Sequence, residues 1–406
     1  MNIKILRGTM QWVCTAIAVL LATGIALFIQ AGYSNGQWGV YSVQPANAEP
    51  ANEVPLALEN LPVMEEEGFG TIIVDISIDD FNNSGFAFGD GINVVFSNGY
   101  QLLDIPYYNG YYASVGDLLI VGYPNSSHIK IAKNYDDTIW SEAGLSQGDT
   151  ATITLNEAGA YLDVQEAFDI VYTNGRADYT TDEEFANFRA CSGGNLKKNI
   201  VYRSASPIDN KYQRASYVET LIQAAGVKFI LDLSDNPEEA ASLIAEDIKN
   251  GIDVSYFEEL DKAGCVALLD LSASFPSDTF VHKLCEGLIC MSQHEGPYLI
   301  HCVEGKDRTG FVCVLLEALC GATYDEMLTD YMETYTNYYK FTKESEPEKY
   351  AAISGLNLDG MLRYLADVDD DADLSKIDFI EPARNYLLKG GMTNDQIDAL
   401  IKCLTQ

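Results

Sequence analysis

The sequence is poor in basic side chains and in histidine, and both shortages exclude kinds of function. It has 25 lysines and arginines against 60 aspartates and glutamates, which gives a formal net charge of −35. A nucleic-acid binder needs a basic footprint, so we expect no nucleic-acid partner. Three of the four histidines, His128, His282 and His294, are scattered without the spacing of metal ligands, so no zinc or two-metal centre is predicted.

Cysteines are present, but not in the pattern of a disulfide framework. There are nine in 406 residues, and four of them, Cys285, Cys290, Cys313 and Cys320, fall in apolar helical patterns. Buried free thiols have this appearance, whereas small disulfide-stapled domains carry cysteine at a far higher density. A chain of this length is also long enough to form two or more domains, each with a core of its own.

The N-terminal residues 1–48 have the pattern of an export signal. Lys4 and Arg7 precede an apolar run over residues 12–29, and Ala46-Asn47-Ala48 offers a small-residue cleavage site. The run is just long enough to cross a bilayer, so an uncleaved anchor formed by residues 12–29 is the alternative. In both cases we expect the rest of the chain to be exported, as a secreted or extracytoplasmic protein.

Residues 49–67 are acidic and contain proline, and we interpret them as a linker to a β-rich domain over residues 68–170. Short apolar segments alternate with turns in this domain, and Ser97-Asn98-Gly99 between two such segments predicts a hairpin. The spacing of the segments is typical of a small sandwich or barrel. Four tyrosines fall within residues 107–112, and we assign them to core packing rather than to a platform that stacks sugars or other ligands.

Residues 178–406 switch to an alternation of strands and helices. Apolar segments at 227–233 and 266–271 are typical of strands, and helical patterns follow at 237–249 and 278–293. Such alternation predicts a parallel sheet covered by helices on both faces, with its active site outside the carboxyl ends of the strands. We therefore predict an α/β fold: one catalytic domain with further C-terminal helices, preceded by a small all-β domain.

The stretch Tyr298–Gly310 is placed at such a strand end and carries the chemistry. An apolar strand leads directly to Cys302, five residues separate Cys302 from Arg308, and an apolar helix follows. A loop of this kind at a helix N-terminus presents backbone N–H groups and a positive dipole to an anion. A nucleotide-binding Walker A loop is excluded, because Asp307 stands where that motif requires Ser or Thr.

The loop brings a thiol and two cations to one place. A helix N-terminus and neighbouring cations, here Lys306 and Arg308, favour the thiolate of Cys302. The planar fork of a guanidinium matches the geometry of a phosphate, whereas an ammonium group cannot bind in this way. We predict that a phosphate would be bound by the backbone and side chains of the following residues: Val303, Glu304, Gly305, Lys306 and Arg308.

This loop resembles the signature of the cysteine-based protein tyrosine phosphatase superfamily, which reads His-Cys, five residues, Arg and then Ser or Thr. The residues that match are His301, Cys302, Gly305, Arg308, Thr309 and Gly310. Upstream, Asn187-Phe188-Arg189, Gly193-Gly194 and Tyr202-Arg203-Ser204 are similar to a bacterial branch of secreted tyrosine and phosphoinositide phosphatases. The resemblance covers residues 180–345, and Ala190-Cys191-Ser192 departs from the Asp-Leu that is common in that branch.

The resemblance implies a tyrosine phosphatase-like domain and a role for each loop residue. Cys302 would attack phosphorus and form a phosphocysteine, which water would then hydrolyse. Thr309 would assist departure of the thiolate, and His301 would support the loop by hydrogen bonding. The reaction of these relatives needs no metal and no other cofactor.

Asp307 is the proton donor that the resemblance implies for the leaving oxygen. Many relatives use a Trp-Pro-Asp loop, but the only tryptophans here are Trp12, Trp38 and Trp140, far upstream of the cysteine. The alternative is that Asp307 only pairs with Lys306. In that case the proton donor would be one of four aspartates at strand ends or in the loops that follow: Asp232, Asp235, Asp270 and Asp278.

Phosphotyrosine protein is the leading expectation for the substrate. Lys306 favours the polyphosphorylated head groups of phosphoinositides, which remain the alternative, whereas Glu304 opposes them. A second alternative is a module that binds phosphate without catalysis, or an adhesin led by the tyrosine-rich domain, but idle relatives usually lack the nucleophile or the arginine. We expect membrane contact only through the N-terminal anchor, and the sequence leaves the oligomeric state open.

Overall fold

The computed structural model describes the following residues: 29–34, 37–42, 56–124 and 126–406. The chain divides into two compact units, Met1–Pro55 and Leu56–Gln406. In the first unit, β1 (Ile29–Ser34) and β2 (Gln37–Ser42) pair antiparallel. The predicted apolar run, up to residue 28, and the predicted cleavage site lie outside the described residues. Within the described residues, no helix combines the length and the apolar character needed to cross a membrane.

Seven strands of the second unit close into a barrel. They are β3 (Ala57–Glu66), β4 (Thr71–Ser77), β5 (Gly91–Phe96), β6 (Gln101–Tyr108), β7 (Leu118–Val121), β8 (His128–Lys133) and β9 (Thr150–Glu157). Their order around the barrel is β3-β4-β8-β7-β6-β5-β9, and neighbours are antiparallel except for β6 and β7. Alternate residues such as Ile72 and Val74 of β4 are fully buried and fill the barrel core, as the period of two along a strand requires.

The barrel corrects two predictions. Residues 57–66, which we expected in a linker over 49–67, form β3, so the β-rich part begins earlier than the predicted 68–170. The acidic side chains there are mostly exposed on the outer face, while Val63 points inward. The predicted small all-β domain also contains a helix, α1 (Ile78–Asn83), whose Phe81 ring lies in the barrel core and stacks on Phe86 with the ring centroids 4.3 Å apart.

A five-stranded sheet forms the centre of the remaining chain. Its strands are β10 (Arg189–Ala190), β11 (Val201–Ser204), β12 (Phe229–Asp232), β13 (Val266–Leu268) and β14 (Tyr298–His301). Their order is β10-β11-β14-β12-β13, and neighbours are parallel except for β10 at one edge. The middle strand β14 is buried along its whole length, and its last residue, His301, is level with Ser204 of β11 and Asp232 of β12.

Helices account for most of the rest. They are α2 (Ile139–Glu142), α3 (Leu162–Phe168), α4 (Asp182–Ala186), α5 (Ala215–Ala225), α6 (Pro237–Lys249), α7 (Ser255–Lys262), α8 (Asp278–Ser292), α9 (Asp307–Leu319), α10 (Tyr324–Tyr339), α11 (Pro347–Ser354), α12 (Gly360–Ala366), α13 (Ile380–Lys389) and α14 (Asn394–Thr405). The predicted helices over 237–249 and 278–293 correspond to α6 and α8.

The sheet is covered on both faces because successive residues of its central strands point into different cores. Ile230 and Leu299 belong to a core shared with α5, α6 and α7. Their neighbours Leu231 and Ile300 belong to a larger core shared with α8, α9 and the C-terminal helices. This is the α/β arrangement that the alternation of strands and helices predicts, and it brings the carboxyl ends of β11, β12 and β14 to one edge.

Candidate active site

The chain turns from strand into helix at the carboxyl end of the middle strand. Cys302 follows β14 directly with 4% of its surface exposed, and α9 begins at Asp307. The residue before the helix, Lys306, makes no side-chain capping bond. Among the described residues, no backbone carbonyl accepts from the N–H groups of residues 303–309. The first turn of α9 and the loop before it therefore keep their donors available for an anion, at the positive end of the helix.

Gly305 allows the loop to lie directly against the neighbouring strand. Its φ of +68° is in the left-handed region, and a Cβ at this position would lie 2.1 Å from the carbonyl oxygen of Ser204 in β11. The Gly305 carbonyl accepts hydrogen bonds from Asn187 Nδ2 and Arg203 Nη2, both at 3.1 Å. The close approach explains why a glycine occupies this place in the loop.

A buried carboxylate shared by two guanidinium groups supports that contact. Arg203, with no exposed surface, donates from Nη1 to Asp330 Oδ2 at 2.8 Å, and Arg189 donates from Nε to Asp330 Oδ1 at 3.2 Å. Burial alone would raise the pKa of Asp330, but the two guanidinium groups outweigh it and hold the pKa below its ordinary value. Arg189 and Arg203, which belong to two of the upstream motifs, thus both bind Asp330 of α10.

Arg308 is held by a segment that follows β13. It lies in the first turn of α9, and its Nη1 donates to the backbone carbonyl of Leu271 at 2.8 Å. Leu271 is itself fixed, because its backbone N–H donates to the carbonyl of Leu233 at 2.9 Å. One donor of the guanidinium is therefore engaged by the protein, and Arg308 has four other N–H groups with which it can bind an anion.

His301 and Thr309 are buried on either side of the loop in sequence. The Nε2 atom of His301 lies 3.7 Å from Asp232 Oδ2, and neither ring nitrogen has a hydrogen-bond partner among the described residues. Burial lowers the pKa of His301 to about 4, although the Asp235 carboxyl partly opposes this shift. The loop-supporting hydrogen bond expected of the His301 side chain stays a prediction. Thr309 Oγ1 is also buried without a partner in this part of the chain.

Two buried carboxyl groups lie behind His301. Asp232 ends β12 with no exposed surface, and Asp235 is 7% exposed. Burial raises the pKa of both, and the proximity of Asp232 helps to raise that of Asp235 to about 7. The other two reserve proton donors are at the surface: Asp270 pairs with Lys283 at 3.0 Å and Asp278 pairs with Lys389 at 3.3 Å.

Lys306 lies between two carboxylates of the loop. Its Nζ is 3.8 Å from Glu304 Oε2 and 3.7 Å from Asp307 Oδ2. Burial by itself lowers the pKa of Lys306, but Asp307, Tyr339 and Glu304 outweigh it and hold the pKa well above its usual range. Asp307 remains 52% exposed, whereas Glu304 is 21% exposed. The ammonium charge is therefore largely balanced within the loop.

Tyrosines enclose the loop on the side of Glu304. The Tyr172 hydroxyl donates to the Glu304 carboxylate, and the Tyr338 hydroxyl donates to the Glu304 carbonyl at 2.7 Å. The two rings stack with their centroids 5.0 Å apart. Aromatic side chains thus fix the acidic residue of the loop.

The structure keeps the predicted loop residues together and adds partners that the sequence did not reveal. Asn187, Arg189 and Arg203 were noticed only as parts of motifs, and the structure shows that they contact the loop or its support. Asp330 and the Leu271 carbonyl were missed. An aspartate on the buried face of α10 was the available signal for the first, whereas a backbone carbonyl leaves no signal in a sequence.

One buried group among the described residues has the composition of a metal site. The donor atoms of Cys191, Glu317 and Asp330 lie within 4.8 Å of one another. Both oxygens of Asp330 already accept from Arg189 and Arg203, and two guanidinium charges oppose a cation there. Burial raises the pKa of Glu317 well above its usual value, which favours its neutral form. We therefore assign this group a structural role.

Comparison with known proteins gives a consistent result. The tyrosine phosphatase family matches residues 183–406. A putative tyrosine-protein phosphatase of Cupriavidus necator is 24% identical over 219 residues, which cover 49% of this chain and 77% of that protein. The triple specificity protein phosphatase PtpB of Mycobacterium tuberculosis is 28% identical over 131 residues, which cover 30% of this chain and 45% of that protein.

One solved structure was also matched to this chain, over a shorter part than the Cupriavidus necator protein. The crystal structure of an uncharacterized conserved protein from Thermotoga maritima is 19% identical, covers 30% of this chain and 43% of its own, and has a TM-score of 0.21.

Replacement of Gly305 by alanine should distort the loop. The added Cβ would overlap the Ser204 carbonyl, so the loop has to move in addition to adopting a left-handed conformation. We expect Gly305→Ala to lower the free energy of unfolding by about 2–3 kcal/mol or more, measured by urea denaturation. Gly226→Ala is the matched control, because its φ is +66° and no atom lies within 4 Å of its Cβ. It should lose only about 1 kcal/mol. Equal losses would contradict the close approach.

Asp235 should make stability fall as pH rises. Its pKa is about 7 in the folded protein and near its ordinary value of 3.8 in the unfolded chain. Between these pH values the folded state holds a proton that the unfolded state has released, so each unit of rising pH costs up to about 1.4 kcal/mol. Asp235→Asn should remove this contribution to the slope between pH 4 and 7, so its stability should fall less with rising pH than that of the wild type, as measured by urea denaturation at several pH values. The control is Asp371→Asn, an exposed loop position, and an unchanged slope in Asp235→Asn would contradict the assignment.

Proposed function

Because the chain belongs to the tyrosine phosphatase family, we propose that it is an exported hydrolase of phosphate monoesters that acts on phosphotyrosine protein through a phosphocysteine intermediate. The observation that carries the proposal is the position of Cys302. A buried thiol lies between the middle strand of the sheet and an uncapped helix start, six residues before an arginine whose guanidinium is fixed by one hydrogen bond.

The first step transfers the phosphoryl group to sulfur. A phosphate monoester hydrolyses very slowly unaided, so the site has to stabilise the charge on the three equatorial oxygens of the transferred group. The N–H groups of residues 303–308 and the free donors of Arg308 fit that task. The Cys302 thiolate would form the S–P bond while the P–O bond to the leaving group breaks, and Asp307 would give the leaving oxygen its proton.

The second step returns the enzyme to its starting state. Water would attack the phosphocysteine, form a new P–O bond and displace the Cys302 thiolate, while Asp307 would accept the proton that the water releases. The buried hydroxyl of Thr309, which has no partner among the described residues, is available to hydrogen-bond to the departing sulfur. All groups needed for both steps belong to this chain.

Exposure supports Asp307 as the proton donor. Its carboxylate is half exposed in the first turn of α9, and its distance of 3.7 Å from Lys306 is too long for a hydrogen bond. Asp232 has no exposed surface and Asp235 is 7% exposed, so both are less accessible than Asp307. Asp270 and Asp278 are occupied by surface ion pairs with lysines.

Charge supports a protein substrate over a lipid head group. Lys306 is the residue that favours phosphoinositides, and its ammonium group is already balanced by Glu304 and Asp307. A chain with a net charge of −35 would also be repelled by an anionic membrane surface.

Phosphoinositide hydrolysis remains the second candidate, because Lys306 still keeps its positive charge beside the cradle. The two candidates are separated by measuring kcat/KM for a phosphotyrosine peptide and for a soluble phosphoinositide head group with the same preparation.

The export proposal depends on the pattern of residues 1–48, and detection of the protein outside the cytoplasm would test it. The non-catalytic alternative is disfavoured because nucleophile, arginine and proton donor are all present.

Cys302→Ser should abolish turnover and keep anion binding. Serine removes the sulfur nucleophile but leaves the backbone cradle and Arg308 unchanged, so hydrolysis of an aryl phosphate should fall by more than about a hundredfold. Binding of tungstate, measured by calorimetry, should stay within a few fold of that of the wild type. Cys265→Ser, which changes a thiol far from the loop in sequence, is the control and should retain activity. A Cys302→Ser variant with more than about a hundredth of the wild-type rate would contradict thiolate chemistry.

Asp307→Asn should slow only those substrates that need a proton donor. Tyrosine and inositol esters have poor leaving groups, so their kcat should fall by about 10²–10⁴-fold. Activated aryl esters should be affected much less, because their leaving oxygen departs without a proton. Asp371→Asn, at an exposed loop position, is the control and should change neither rate. If Asp307→Asn lowers both substrate types equally, the residue shapes the loop and the donor has to be sought among Asp232, Asp235, Asp270 and Asp278.

A further inference from the structure

The barrel has a corner between β8 and α2 that its own residues hold rigidly. Tyr135 lies there with a φ of +60°, a left-handed conformation that is unfavourable for a tyrosine. Polar contacts fix the residues around it: Lys133 pairs with Glu142 at 2.9 Å, and the backbone N–H of Thr138 donates to Asp136 Oδ1 at 2.7 Å. A conformation of this kind persists only where its surroundings determine it.

The corner contacts the segment between β13 and α8. The hydroxyl of Ser274 donates to the backbone carbonyl of Tyr135 at 2.7 Å. The rings of Tyr135 and Phe275 lie with their centroids 4.7 Å apart. Phe275, which is 1% exposed, stacks in turn on Phe311 of α9 at 4.2 Å and 15°. The barrel thus reaches the helix that carries Arg308, through one hydrogen bond and two aromatic contacts.

The same segment binds the guanidinium of Arg308. The Leu271 carbonyl that accepts from Arg308 Nη1 lies three residues before Ser274, and the backbone N–H of Ser274 donates to Ser272 Oγ at 3.2 Å. Phe311 lies one helical turn after Arg308 on α9. Both the side chain of Arg308 and the helix from which it projects are therefore in contact with the segment on which the barrel corner rests.

We propose that Tyr135 is a positioning residue for Arg308, and that the barrel is part of the catalytic unit rather than a separate ligand-binding module. The contacts of its carbonyl with Ser274 and of its ring with Phe275 hold the segment so that the Leu271 carbonyl orients the guanidinium. The inference rests on the proposed function, since it assigns Arg308 to the phosphate. A long flexible side chain loses rotamer freedom when it binds, and an orienting contact reduces that cost.

Phe275 also has a contact that does not involve the barrel, so the contribution of the barrel can be tested separately. The Tyr386 hydroxyl in α13 donates to the Phe275 carbonyl at 2.6 Å. Loss of the Tyr135 ring should therefore loosen the segment without releasing it from the C-terminal helices. Glycine adopts positive φ freely, so Tyr135→Gly removes the ring while the corner keeps its backbone conformation. Ser274→Ala removes the hydrogen bond and leaves every ring in place.

The experiment measures kcat and KM for an aryl phosphate and the dissociation constant of tungstate, using the full chain. We expect Tyr135→Gly to lower kcat/KM by about tenfold or more, since small misplacements of a binding group have effects of up to about a hundredfold. Ser274→Ala should lower it by about two- to tenfold. Tungstate binding should weaken in parallel. Tyr135→Phe keeps the ring, so its kcat/KM and its tungstate binding should stay close to those of the wild type. Leu103→Ala, at a 63% exposed position of the barrel, is the control that should change neither.

A double-mutant cycle with Arg308→Lys separates positioning from general destabilisation. Lysine cannot form the bidentate contact, so Tyr135→Gly should cost less than about twofold in that background. An equal cost in both backgrounds, or unchanged kinetics and tungstate binding in Tyr135→Gly and Ser274→Ala, would overturn the proposal. If Tyr135→Gly does not fold, the same cycle is carried out with Ser274→Ala.

These measurements also distinguish failure of the proposed function from failure of the positioning proposal. A wild-type protein that hydrolyses no phosphate ester would contradict that function, whereas the tungstate measurements would still test whether the corner orients Arg308. Weaker tungstate binding in Tyr135→Gly than in the wild type would support positioning even then. Equal binding would contradict it.

Discussion

The carboxylate of Asp330 is the point on which the loop, the sheet and α10 depend. It lies almost without solvent between Arg189 and Arg203, and Arg203 uses another nitrogen to hold the Gly305 carbonyl. Removing guanidinium groups and a carboxylate from water is costly, and their mutual contacts and hydrogen bonds offset that cost. Loss of the carboxylate would leave the buried Arg203 and the partly buried Arg189 without their counter-charge. The shape of the anion cradle is thus coupled to the burial of charge behind it.

A second constraint is the balance of charge around the loop itself. An acidic chain has to concentrate positive potential at one place if it is to bind an anion, and it does so with an uncapped helix start, Arg308 and Lys306. Glu304 and Asp307 reduce the contribution of Lys306. The positive ends of peptide dipoles and the oriented guanidinium of Arg308 therefore contribute most of the attraction for an anion. Both depend on geometry, which explains why so much of the surrounding structure serves to fix backbone positions.

Local patterns in the sequence predicted local structure well. The helices predicted over 237–249 and 278–293 are α6 and α8, and the hairpin around Ser97-Asn98-Gly99 joins β5 to β6. The loop residues were found because the signature is contiguous. The strand β3 was not predicted, because its acidic and proline-containing composition is typical of a linker; it pairs with the adjacent β4 and with β9, about ninety residues later. Asp330 and Leu271 act through contacts that no short motif records.

The long separation of the groups around Asp330 has a consequence for the order in which the protein can form during synthesis. Arg203 and Asp330 are 127 residues apart, and Arg189 is 141 residues from the same carboxylate. A ribosome that has completed the strands β10 and β11, and even the loop with Gly305, has not yet delivered the counter-charge that allows both arginines to be buried. This part of the sheet therefore cannot close before α10 is available, which makes assembly of the cradle a late step of folding.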